Sequence, residues 1–166
     1  VQVIALGKGK FHAVGFHGGL PGDGWDQSTT HESDGETVDG VTTFKGGEFT
    51  AQIKGGVMVI TAEGGVTVAE LQKVARQSPT LDAKAPEGAV ILSDGKNADQ
   101  WHNGKVTDDG LLMQGVNSKP EFQSGTVHIE FMLPFEPEGR GQGRGNSGCY
   151  LQSRYEVQVL DSFGLK

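Results

Sequence analysis

Tyr150, Gln152, Glu156 and Gln158 are the side chains in this sequence best placed to do chemistry together. They fall in two alternating runs, 149–152 and 155–159, with Ser153 and Arg154 as a short break between them. Successive side chains on a strand point to opposite faces. Paired as a hairpin, the runs put Cys149, Leu151, Tyr155, Val157 and Val159 on one face. Tyr150, Gln152, Glu156 and Gln158 fall on the other. A carboxylate, two amides and a phenol on a single sheet face suit a polyhydroxylated ligand such as a sugar. The same alternation also describes a polar face that only meets water. Two details favour a site. Gln, Glu and Tyr are less typical of a plain wet strand than Thr, Lys and Ser. An Arg- and Gly-rich loop, 139–148, also feeds directly into the first run, as binding loops on rigid scaffolds do.

The elements that must carry these residues read as all-β. Residues 1–6 and 11–16 alternate as a hairpin around the turn Lys8-Gly9-Lys10. Residues 18–26 form a loop dense in turn residues, with Trp25 plugging an edge of a small core. Asp34-Gly35 and Asp39-Gly40 are turn signals. Residues 41–44, 49–54 and 57–62 read as three short strands punctuated by Gly-Gly pairs. Residues 67–76 fit a short helical stripe or a strand, and the preceding β series favours the strand. Residues 1–77 therefore read as a small β unit. Pro79 and Pro86 bracket a linker at 78–88. Residues 89–166 form a second unit, which opens on the apolar run 89–92 and a turn at 93–97 and has strands near 110–114 and at 126–133. In the last strand Val127, Ile129, Phe131 and Leu133 share one face, and Thr126, His128, Glu130 and Met132 the other. Pro134 ends it, since proline cannot donate to a ladder. The register predicts that Cys149, Leu151, Val157, Val159, Val127, Ile129 and Phe131 are buried together.

Composition excludes several function classes. The chain has 166 residues, 27 of them glycine, and a formal net charge of −7. An acidic chain is a poor partner for nucleic acid. No apolar stretch of 18 residues is present, so no membrane span is expected. The single cysteine, Cys149, permits no internal disulfide and no cysteine-cluster metal site, and reads as a small core residue. No charged-then-apolar leader precedes Val1, so no signal peptide is visible, and the apolar opening suits a trimmed start. Gly143-x-Gly145-x-x-Gly148 matches a dinucleotide pattern but precedes a strand where that motif needs a helix. The Arg-Gly repeats are too short for an RNA-binding tail. His128-Ile129-Glu130 lacks the paired cysteines of a zinc deaminase. His12, His17, His31 and His102 show no ligand spacing, and Asp94 and Asp99 miss the EF-hand pattern.

The run from Gly143 through Asn146-Ser147-Gly148-Cys149-Tyr150 to Tyr155-Glu156-Val157-Gln158-Val159-Leu160-Asp161-Ser162-Phe163-Gly164 resembles the signature of the 3-keto-disaccharide hydrolase domain family. Val90 to Asn97 followed by Trp101 is similar to that domain's opening, with Ser93 where the family often has Phe. The resemblance covers about residues 88–166, and the preceding β unit resembles an N-terminal extension of longer relatives. It implies a concanavalin-like jelly-roll sandwich, a periplasmic or secreted setting, and hydrolase activity on sugars oxidised at carbon 3. The family domain continues past the Leu-Asp-Ser motif with further strands. The expectation is therefore a fragment, or a sandwich completed by another polypeptide, because an isolated half sandwich leaves open edges.

The implied chemistry needs few groups. A 3-keto group acidifies the proton on carbon 2, a base removes it, the group on carbon 1 leaves, and water adds. Glu156 is the expected base, or a metal ligand. Arg144, Asn146, Tyr150, Gln152 and Gln158 are expected to hold sugar hydroxyls or stabilise the enolate. His128, Glu130 and Asp161 are further candidates, Asp161 also as a structural residue. A divalent metal is a candidate cofactor, with its ligands unassigned. The competing readings are a non-catalytic carbohydrate-binding module and a cell-surface scaffold or assembly module docked through the N-terminal unit.

Overall fold

A computed structural model describes residues 1–164. The chain forms two compact units, one of Val1–Arg76 with Leu133–Lys166 and one of Gln77–Met132. The first boundary falls beside the proline-bracketed stretch. That 133–164 packs with the N-terminal strands was not anticipated.

The first unit is built on seven strands: β1 (Gln2–Gly7), β2 (Lys10–Phe16), β3 (Thr30–Val38), β4 (Val41–Gly46), β5 (Phe49–Lys54), β6 (Val57–Ala62) and β7 (Thr67–Gln72). They pair antiparallel in chain order, a plain meander. Turns with positive φ join them, as at Asp39-Gly40 (φ 48° and 76°), where both central residues are left-handed. That conformation matches the twist of the flanking strands. One face carries the core of Ala13, Phe44 and Met58, against which Val3, Phe11, Ala51, Ile53, Ile60 and Leu71 pack. Residues of β1 and β7 thus reach one cluster, so the sheet curls around Phe44, which is 2% exposed. Phe16 and Trp25 meet edge to face at 5.2 Å, holding the 18–26 loop against the end of β2.

The expected turn at Asp34-Gly35 is instead the middle of β3. Gly35 stands opposite Phe44 in the ladder, and a side chain there would collide with the Phe44 ring. Glycine at this position makes room for the core rather than a reversal.

The second unit has little regular structure. β8 (Trp101–His102) pairs with β9 (Asn117–Ser118). Trp101 donates Nε1 to the Leu92 carbonyl at 2.6 Å, and Lys119 donates Nζ to the Asp99 carbonyl at 2.8 Å. Asp94 accepts the Lys96 amide at 3.0 Å, which holds its carboxyl below the usual carboxylate range. Two expected strands do not form. Residues 110–114 contribute only a bridge from Leu112 to Val106, and 126–133 are irregular; the apolar run 89–92 is loop. Alternation marks a segment that could pair, but a strand exists only when a neighbour supplies the ladder bonds. Val127, Ile129 and Phe131 are accordingly exposed.

The expected all-β class holds. Among the described residues the only helical segments are two single 3-10 turns, Glu63–Gly65 and Gly141–Arg144.

Candidate functional site

The expected hairpin is present as β10 (Asn146–Leu151) and β11 (Tyr155–Leu160). Its register pairs Gly148 with Gln158, Cys149 with Val157, Tyr150 with Glu156 and Leu151 with Tyr155. One face therefore carries Asn146, Gly148, Tyr150, Glu156, Gln158 and Leu160; of these, alternation predicted Tyr150, Glu156 and Gln158. Gln152 is not among them. It sits in the connecting turn with φ 55°, next to Ser153 at 53°, where the Arg154 amide bonds the Leu151 carbonyl. The first run is one residue shorter than expected because the turn consumes it.

Two polar pairs order the face. Gln158 donates Nε2 to Asn146 Oδ1 at 3.0 Å. The Glu156 carboxylate faces the Tyr150 phenol and raises its pKa, first by hydrogen bonding and then by its charge. Cross-strand partners hold their Cβ atoms about 5 Å apart, which brings the two side chains within reach. The Glu156 side chain also folds back over Gly148, where a Cβ would overlap it. Gly148 was not singled out as a site residue. The signal that could have found it is a glycine inside an otherwise alternating run, which marks a close approach.

The opposite face does not bury as expected. Cys149 and Val159 are half-buried, while Leu151, Tyr155 and Val157 are exposed. The faces of Cys149, Leu151, Tyr155, Val157 and Val159 are as read, but Leu151, Tyr155 and Val157 stay uncovered. Val127, Ile129 and Phe131 do not join it in a buried set.

Arg144 is 6% exposed. It donates Nε to Asp161 Oδ2 at 2.9 Å and Nη1 to the Ala5 carbonyl of β1 at 3.0 Å. Asp161 closes the open end of the hairpin, its amide bonding the Gly145 carbonyl at 2.9 Å, and its Oδ1 accepts the Phe163 amide at 3.2 Å. In this arrangement Arg144 and Asp161 hold the hairpin rather than line its polar face. Nearby, Lys8 and Glu138 form an exposed pair at 3.6 Å, and Gly164 lies against Ile4, which is buried.

His128 and Glu130 form a local pair in the second unit, Nε2 to Oε1 at 3.1 Å. Glu130 Oε1 also accepts the Asp82 amide at 2.6 Å, and the bond to His128 is the main reason its carboxyl titrates below the usual range.

Among the described residues no three His, Cys, Asp or Glu side chains converge as a metal-binding set. The donors at the hairpin do not fit a metal centre. No helix among them is long and apolar enough to cross a membrane.

Residues 88–166 match the family model described as a 3-keto-alpha-glucoside-1,2-lyase-like domain, over the span where the sequence resemblance was read. No curated protein and no solved structure matches the chain.

Proposed function

We propose that this 3-keto-alpha-glucoside-1,2-lyase-like domain cleaves glycosides whose sugar carries a ketone at carbon 3, with Glu156 as the base. The observation that carries the reading is the Glu156–Tyr150 pair on the exposed polar face of β10 and β11, inside the segment that matches the family.

The ketone makes the carbon 2 proton acidic. Glu156 removes it, and the electron pair moves through carbon 2 onto the carbon 3 oxygen as an enolate. When the enolate collapses, carbons 1 and 2 become doubly bonded and the carbon 1 group leaves with its electron pair. Addition of water to carbon 1 completes a net hydrolysis. Ordinary glycosidases need two carboxylates around an oxocarbenium-like state. On the polar face Glu156 is the sole carboxylate, which suits a route that needs one base. Gln158 and Asn146, already bonded to each other, offer an amide pair to sugar hydroxyls. A periplasmic or secreted setting accompanies this reading as part of the same family inference.

The same exposed face would also serve carbohydrate binding without chemistry. Glu156→Gln separates the two, because it keeps shape and reach but removes the base. On a 3-keto-disaccharide the expected loss is about 10²- to 10⁴-fold, alike in kcat and kcat/KM, with KM little changed. A non-reactive analogue should bind the variant as it binds the wild type. Normal turnover by the variant would remove Glu156 from the mechanism. Binding without cleavage by the wild type would leave a binding module.

A further inference from the structure

The proposed elimination passes through an enolate, and the charge that gathers on the carbon 3 oxygen needs a hydrogen-bond donor. We infer that Asn146 is that donor. Its Nδ2 group bonds the carbon 3 oxygen as the enolate forms, and Gln158 is the positioning residue that turns it there. This rests on the proposed lyase reading and deepens it, by naming the group that recognises the ketone.

Three features of the polar face support it. First, Gln158 donates Nε2 to Asn146 Oδ1 at 3.0 Å. An amide whose oxygen is held in this way has its nitrogen turned elsewhere, since both sit on one planar carbon. Among the described residues nothing accepts from Asn146 Nδ2, so both of its hydrogens are unspent. Accepting at Oδ1 also polarises the amide and strengthens Nδ2 as a donor. Second, the Glu156 carboxylate folds over Gly148, which is the ladder partner of Gln158 and stands two residues from Asn146 on the same face. Such neighbours are about 7 Å apart along a strand, which leaves room for two bonded carbons between base and donor. The carbon 2 hydrogen stands off one face of the sugar ring, whereas the ketone oxygen lies at its edge. Base and donor therefore do not have to meet the same side of the sugar, whatever the configuration at carbon 1. Third, the nearest cation does not compete, because Arg144 donates to Asp161 and to the Ala5 carbonyl.

No proton passes through Asn146. The carbon 2 hydrogen leaves to Glu156, and its bonding pair forms a double bond between carbons 2 and 3. The carbonyl pair moves onto the carbon 3 oxygen, where the Nδ2 hydrogens bond it. When the enolate collapses the ketone returns, carbons 1 and 2 become doubly bonded, and the carbon 1 group leaves with the pair of its own bond. The amide is neutral throughout and ends as it began.

The test is Asn146→Ala, read in two ways. On a 3-keto-disaccharide, kcat and kcat/KM should fall together by about 10²- to 10³-fold with KM little changed, the usual cost of removing one oxyanion donor. A 3-keto sugar with hydrogen in place of the carbon 1 group has nothing to eliminate. In deuterium oxide the wild type should exchange its carbon 2 hydrogen through the enolate, and the variant should slow that exchange by the same factor. Asn146→Asp keeps the bond from Gln158 and the shape of the site but has no donor, and should lose at least as much. Gln158→Met should lose less. The double variant Asn146→Ala, Gln158→Met should lose no more than Asn146→Ala, because Gln158 acts through Asn146. A raised KM with kcat unchanged would make Asn146 a contact for a sugar hydroxyl and overturn the donor role. So would undiminished exchange, or the expected pattern in Tyr150→Phe in place of Asn146→Ala. Losses that add in the double variant would overturn the positioning role of Gln158. If Glu156→Gln is dead while Asn146→Ala is unaffected, the lyase reading stands and the donor role falls. If the wild type neither cleaves nor exchanges, both fall together.

Discussion

Arg144 and Asp161 pair at 2.9 Å across the open end of the β10–β11 hairpin, and the same guanidinium donates to the Ala5 carbonyl of β1 at 3.0 Å. A two-stranded hairpin alone is marginal in water. This clamp gives it a fixed base on the seven-stranded sheet. Both side chains are largely buried, so losing one partner leaves an uncompensated charge out of water.

Arg144→Ala is expected to destabilise the first unit by about 3–5 kcal/mol, the usual cost of breaking a buried ion pair from one side. Denaturant unfolding measures it. Arg144→Lys should recover only part, since an ammonium cannot reproduce the two-directional fork. Variant stability equal to wild type would show that the pair contributes nothing.

Gly148→Ala is expected to push the Glu156 carboxylate off its resting place, because the new Cβ overlaps that side chain. Turnover should fall while overall stability changes by about 1 kcal/mol or less, since the site is at the surface. A second readout does not depend on turnover. The Tyr150 phenol titrates above its ordinary value of 10.0 because of Glu156. Both Gly148→Ala and Glu156→Gln should bring it down, as followed by phenolate absorbance in a Tyr155→Phe background.

Asp26 gives a pH prediction. Its carboxyl is lowered from 3.8 to about 2, mainly by hydrogen bonds from the Ser28 side chain and amide, with a further contribution from His17 at 2.6 Å. A depressed carboxylate contributes stability that is fully present above the unfolded value and is lost as pH falls through the folded one. The 18–26 loop should therefore keep its order above about pH 4 and lose the Asp26 contribution between there and about pH 2. Trp25 fluorescence in a Trp101→Phe background reads this out. Asp26→Asn should abolish the pH dependence, and an unchanged titration in that variant would refute the assignment.

Phe44→Ala is expected to cost about 3–5 kcal/mol, the range for emptying a filled aromatic site. Gly35→Ala should cost about 1–3 kcal/mol for the opposite reason, overpacking against the same ring. In the double variant Gly35→Ala, Phe44→Ala the two losses should add to less than their sum, because the new methyl group enters the space left by the ring. Strict additivity in a double-mutant cycle would show that the two positions do not share that space.

Much of this fold was legible because its punctuation is chemical. Gly46-Gly47, Gly55-Gly56 and Gly64-Gly65 bound strands that the structure confirms, and the alternation of 155–159 showed that Glu156 and Gln158 share a face, while the ladder itself sets Glu156 opposite Tyr150. β3 was hidden because Thr30–Val38 is rich in polar residues and carries Asp34-Gly35, a local turn signal that the Phe44 ring overrides. Residues 126–133 failed in the other direction. Their pattern is that of a strand, but pattern does not supply a partner. Arg144 looked like a sugar contact in a glycine loop, and nothing local announces that its partners are an aspartate 17 residues on and a carbonyl 139 residues back.

The meander has a kinetic consequence. Each of its strands pairs with its neighbour in sequence, so every ladder closes a short loop, and low contact order favours rapid folding. The bond from Arg144 to Ala5 instead waits on a closure spanning 139 residues. The sheet should therefore form early and serve as the template on which the hairpin docks last. The polar face of the candidate site would then be the final part of the first unit to order, and the first to be released when the unit begins to open.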